Sequence, residues 1–124
     1  MGGFVDIEAR LRSWFIAGGM TAKISTRKPD GDKAVAWLQV VRIGGPVATL
    51  VTEAPQLELS GYGDTDDDAL GTLNQARRLL LPAAITAAAP FIWSDEYGGP
   101  VNLPDPALPE QSRYTANWTL WTRF

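Results

Sequence analysis

Four aspartates, Asp64, Asp66, Asp67 and Asp68, form the densest set of side chains in this sequence that could hold a cation or move a proton. Clustered carboxylates suit a hard ion such as Mg²⁺ or Ca²⁺. Set on a calcium loop, Asp64, Asp66 and Asp68 take the first, third and fifth positions. Ala69 then stands where the turn needs glycine, and Gln75 where a bidentate glutamate is needed. The same residues suit a helix start better: Thr65 can cap it, Asp68 answers three positions on, and an acidic first turn complements the positive helix end. Asp95 and Glu96 are the other carboxylate pair. Neighbours on a strand point to opposite faces, so these two do not converge on one substrate as acid and base. Gly44-Gly45-Pro46 and Gly98-Gly99-Pro100 are followed by no lysine-serine or lysine-threonine pair and by no helix, so they read as turns and not as phosphate cradles.

The chain has no histidine and no cysteine among its 124 residues. That removes the usual proton shuttle at neutral pH, thiolate nucleophiles, the commonest transition-metal ligands and any disulfide framework. With 11 basic and 14 acidic side chains the formal charge is −3. Such a balance argues against gripping nucleic acid through many phosphate contacts, while leaving DNA free to pass. No signal peptide and no apolar run of membrane-spanning length is visible, so a soluble product made in the cytoplasm is expected.

The elements that must position these residues follow from periodicity. Phe4, Ile7, Leu11 and Trp14 or Phe15 recur at helical spacing, and Gly18-Gly19 stops that helix. Residues 23–33 are polar, basic and turn-rich and read as an exposed loop. Residues 35–43 form a strand apolar on both faces, whose second cover would be a helix or a neighbouring subunit. Gly44-Gly45-Pro46 turns the chain into a strand over 47–52, giving a hairpin. Residues 56–62 alternate, with Leu57 and Leu59 on one face and Gln56, Glu58, Ser60 and Tyr62 on the other. The capped helix from Thr65 carries Arg77 and Arg78 toward its end, and Pro82 kinks or stops it before an alanine-rich extension to about Ala89. A strand over 91–97 leads to a glycine/proline loop over 98–112. The closing strand over 113–124 places Tyr114, Ala116, Trp118, Leu120 and Phe124 on one face. Arg113, Thr115, Asn117, Thr119 and Arg123 fall on the other, where Trp121 interrupts the polar pattern. The order α-β-β-β-α-β-β predicts a single α+β domain over residues 1–124, with a mostly antiparallel sheet of about five strands and two helices packed on it.

Of the five tryptophans, Trp37, Trp93 and Trp118 are expected in the core and Trp121 at a subunit contact. Arg113 and Arg123 alone make too thin a basic patch for stacking on single-stranded nucleic acid.

Taken together, the chain resembles the tail terminator (tail-completion) proteins of long-tailed bacteriophages. The resemblance spans nearly the whole sequence. It rests on the short first helix, Val40-Val41-Arg42-Ile43-Gly44-Gly45, Val51-Thr52-Glu53-Ala54-Pro55, and the capped helix from Thr65 to Arg78. Gly98-Gly99-Pro100 through Leu103-Pro104-Asp105, Arg113-Tyr114 and Thr119-Leu120 complete it. The segment from Pro82 to Pro90 is longer than this likeness leads one to expect.

The resemblance implies a virion subunit, assembled in the host cytoplasm, that forms a homo-oligomeric ring, typically a hexamer. The ring would cap the head-proximal end of the tail tube, stop its polymerisation and join it to the head. Its partners would be the tail tube protein, a head-completion or connector protein, and genome DNA passing through the lumen without specific binding. No catalytic residue, cofactor, metal or membrane is implied. Asp64, Asp66, Asp67 and Asp68 would face the lumen or an axial surface. Arg27, Lys28, Lys33, Leu103, Asp105, Leu108, Trp121 and Arg123 would meet neighbours or tail and head partners. Another head-tail connector or tail tube component is the nearest alternative, and a small carboxylate- or Mg²⁺-dependent enzyme the remote one.

Overall fold

Ile7, Leu11 and Phe15 are all buried and define the inner face of α1 (Ile7–Ala17). The structure, a computed structural model, describes residues 7–29, 36–45, 52–87 and 91–123. Helix α1 ends where the glycine pair predicts. The Met20 N–H donates to the Phe15 carbonyl and the Gly19 N–H to that of Ile16, with Gly19 at φ +93°. This closure needs a left-handed residue, which glycine supplies at least cost, and Met20 then packs into the same apolar cluster as Phe15.

Segment 23–33, expected as loop throughout, begins as a strand. β1 (Lys23–Ser25) pairs in parallel with the start of β2 (Trp37–Gly44), in the register Lys23↔Trp37, Ile24↔Leu38, Ser25↔Gln39. One apolar side chain among polar neighbours gives no periodic signal, but Ile24 is core and the ladder with β2 fixes its neighbours. On its other side β2 pairs antiparallel with β4 (Gln56–Gly63), and β4 pairs with β6 (Ser112–Arg123). The two-residue β3 (Thr52–Glu53) prolongs the β4 side past Ala54-Pro55, with Glu53 opposite Thr122. β5 (Phe91–Asn102) lies along the other side of β6. The fold is α+β as expected. The parallel β1–β2 pair makes its sheet mixed and not mostly antiparallel, and the described residues form six strands and three helices where five and two were expected. The expected strand over 47–52 falls outside the described residues except for Thr52, which pairs with Arg123 and not with β2.

Helix α2 (Asp66–Leu80) starts as the sequence predicts, with extended Thr65 accepting the Asp68 N–H on its hydroxyl at 3.1 Å. Thr65→Ala is expected to cost about 1 kcal/mol, read as a lower urea midpoint at unchanged slope. At the far end Leu81 leaves the helical region (φ −54°, ψ 143°), because a proline crowds the helical conformation of the residue before it. Pro82 then opens a one-turn α3 (Pro82–Ile85), so the alanine-rich extension stops at Ile85 and not near Ala89.

All three helices pack on one face of the sheet. Leu38 and Val40, Leu57 and Leu59, and Ala116, Trp118 and Leu120 meet Leu11, Phe15, Leu73, Leu80 and Ile85 there. β6 alternates as predicted and sits between β4 and β5. β5 departs from expectation: it runs through Gly98-Gly99-Pro100 to Asn102, where loop was expected. An edge strand tolerates a residue without an N–H, and the register shifts between Glu96 and Gly98 and again between Gly98 and Val101 absorb the irregularity. No helix among the described residues is long and apolar enough to cross a membrane.

Candidate interaction surface

The face of the sheet away from the helices carries a row of four side chains in register. Lys23, Trp37, Tyr62 and Arg113 stand opposite one another across β1, β2, β4 and β6. Lys23 Nζ lies 4.6 Å from the centre of the Trp37 ring, and the Arg113 guanidinium 5.7 Å from that of Tyr62, so each aromatic face meets a cation. The Trp37 indole N–H donates to the Arg27 carbonyl at 2.8 Å, which ties the segment after β1 to the sheet. Arg113 also donates to Glu58 at 3.1 Å and to Ser60 at 3.2 Å.

Asp105 closes over this row. It is 4% exposed and accepts from the Ala107 N–H at 3.0 Å, from Lys28 Nζ at 2.9 Å and from the Tyr62 hydroxyl at 3.4 Å. The hydrogen bond from Lys28, then that from Ala107, holds its carboxyl below the ordinary range. Burial pushes the Tyr62 hydroxyl up to about 12, with Asp105 acting in the same direction and Arg113 against it. Tyr62 does lie on the polar face of its strand, as alternation predicts, yet it is fully buried because a distant segment covers it. Lys28 and Asp105, expected at partner contacts, therefore bind each other, and Asp105 is a strut within the chain.

Beyond the strut, large apolar side chains are exposed along the edge strand. Trp93 (54% exposed), Tyr97 (49%), Val101 (56%) and Leu103 (48%) follow one another along and just past β5. Trp93 pairs across the ladder with half-buried Trp121. Trp37 and Trp118 are core as expected, but Trp93 is not, because β5 is an edge strand with no cover on that face among the described residues.

Helix α2 supplies two charged ends. Asp64, Asp66, Asp67 and Asp68 are exposed at its start, and no group of three or more metal-ligating side chains converges among the described residues. At its other end Arg77 grips Glu96 of β5 through two bonds of 2.6 and 2.8 Å and donates to Asn74 at 2.8 Å. The bond to Glu96 raises the Arg77 pKa further. Asn74, Arg77, Arg78, Leu81, Glu96 and Trp118 line a cleft of about 420 Å³. Nineteen residues separate Arg77 from Glu96, and no local pattern announces that pair. As predicted, Asp95 and Glu96 point apart: Asp95 is exposed opposite Thr119, while Glu96 is held against α2.

The remaining predicted contact residues are dispersed. Arg27, Leu103 and Arg123 are exposed, Leu108 is partly buried with its N–H on the Asp105 carbonyl, and Lys33 lies outside the described residues. The structure brings Leu103 together with the exposed apolar side chains of β5, and Trp121 together with Trp93.

No protein-family profile matches this sequence, and no curated protein matches it. Among solved structures the fold is similar to that of a chain described as "Virion of native gene transfer agent (GTA) particle", with a TM-score of 0.64 at 11% identity over 95% of each chain.

Proposed function

We propose that this chain is a structural virion subunit that assembles with copies of itself into a ring, typically a hexamer, at the head-proximal end of a tail tube. There it ends tube growth and provides the joint to the head, and genome DNA passes through the ring without specific binding. The observation that carries this reading is the fold likeness to a virion chain over 95% of both lengths. The exposed Trp93, Tyr97, Val101 and Leu103 support it, since large apolar side chains concentrated along one edge strand mark surfaces that assembly buries. The net charge of −3 fits a wall that DNA slides past.

The test combines the mass in solution with electron microscopy and tube assembly. Rings with an open centre are expected, together with arrest of tail tube growth when the chain is added. Open-ended tubes built from this chain itself would make it a tail tube component instead. A monomer at high concentration that leaves tube growth unchanged would overturn the reading.

A further inference from the structure

We infer that β5 receives an added strand from another protein: an extended segment that pairs along Trp93 to Glu96 and carries an apolar and a basic side chain two residues apart. This holds whether or not copies of the chain form a ring.

The two edges of the sheet are treated differently. The edge formed by β1 and β2 is closed by side chains of α1. Lys23 turns its N–H to the Ala36 carbonyl, so Ile24, next along, turns its backbone outward, and its carbonyl accepts from Arg12 Nε at 3.2 Å. Past the end of β1, the Arg42 N–H donates to Glu8 Oε2 at 3.1 Å. Glu8 and Arg12 sit one turn apart on α1 and stand in for the strand that edge lacks. β5 has no such stand-in. It is twelve residues long, pairs with β6 alone among the described residues, and has no hydrogen-bond partner on its free side among them. Long open edges are templates for strand addition.

The register limits where a strand can lie. From Trp93 to Glu96 the ladder with β6 runs without a shift, whereas shifts before Trp93 and after Glu96, and the missing donor of Pro100, make the rest a poor template. On the outer face of that stretch stand Trp93, across from Trp121, and Asp95, across from Thr119. Both are exposed, and Asp95 has no ion-pair partner among the described residues. An added strand therefore sets an apolar side chain beside Trp93 and a basic one beside Asp95, two residues apart on one face. A second copy does not fit. Its β1–β2 edge is closed, and no basic residue occurs from Phe91 to Asn102, so its own β5 laid antiparallel along this stretch would bring Asp95 beside Asp95.

The probe is a short synthetic peptide of alternating valine and threonine with lysine replacing one central valine. Its twin carries glutamate at that place, and a third version has the lysine peptide's backbone N-methylated. Amide hydrogen exchange of the full chain is measured with and without each. The lysine peptide is expected to slow exchange within Phe91–Asn102 and to bind about fivefold more tightly than its glutamate twin, and Asp95→Lys is expected to reverse that order. Asp95 is exposed, so the fold is unaffected. N-methylation is expected to abolish the protection, because main-chain hydrogen bonds hold an added strand. Equal affinity of the lysine and glutamate peptides, an order that Asp95→Lys leaves unchanged, binding that survives N-methylation, or no slowing within Phe91–Asn102 would each overturn the inference. Protection of β5 that rises with the concentration of the chain itself would make a second copy the occupant and would also overturn it.

Discussion

Gly61→Ala is expected to lower the stability of this domain by about 3 kcal/mol, seen as a drop in melting temperature on the order of 10 °C. A Cβ on Gly61 would stand 2.4 Å from the Ala69 carbonyl oxygen, 3.0 Å from the Leu73 nitrogen and 3.2 Å from the Leu73 Cβ. The obstacle is the backbone of α2, so no side chain can rotate out of the way. Nor can the helix lift, because Leu73, Ala76 and Leu80 are fully buried in the core beneath it. The strain must push apart a sheet and a helix packed at interior density. Against a typical total of about 5–15 kcal/mol this is a large fraction. Gly71→Ala is the matched control: nothing lies within 4 Å of its Cβ, and in an exposed helical position the change is expected to stabilise by about 0.5–1 kcal/mol. Equal midpoints for the two variants in urea would mean that α2 does not rest on β4 as described.

Asp105→Ala is expected to cost about 2 kcal/mol and to free the segment over 103–111 from the outer face. The substitution removes the acceptor of the Ala107 N–H and leaves the buried Tyr62 hydroxyl without its partner. The Lys28 ion pair adds little, because Lys28 is 52% exposed and well screened. The pH dependence has a fixed sign. The folded chain holds the Asp105 carboxyl below its ordinary value, so its contribution is complete above the unfolded pKa of about 4 and fades as pH falls through the lower folded value. The stability gap between wild type and Asp105→Asn is therefore expected to narrow as pH drops below about 4. A gap that stays constant from neutral pH into that range would show that the charge on Asp105 is not what anchors the segment.

What could be read in advance was whatever neighbours along the chain decide among themselves. The Thr65 cap, the Gly18-Gly19 stop and the alternation of β6 each depend on residues a few positions apart, and each was legible. β1 was not, because three residues become a strand only when β2 supplies hydrogen bonds from outside their own window. The strand beyond Gly98 was hidden by Pro100, whose missing donor matters only if that edge is to be paired. Of the candidate surface, the acidic end of α2 and the odd placement of Trp121 were visible, but the covering of Tyr62, the Arg77–Glu96 grip and the exposure of Trp93 were not. Each of these three depends on which segments meet in space, and residue type alone does not encode that.

The position of β6 between β4 and β5 governs how the chain comes into being. β4 and β5 do not touch each other in the ladder; both wait for a strand that is made after them. At roughly 5–20 residues per second a ribosome needs several seconds to pass from Gly63 to Arg123. Throughout that interval β4 has one edge without its final partner, and β5 emerges before β6, the one strand it pairs with among the described residues. The sheet therefore closes in one late insertion joining residues distant in sequence, the kind of step that folds slowly and invites capture by other nascent chains. A chain released before β6 is predicted to be a substrate for chaperones and proteases.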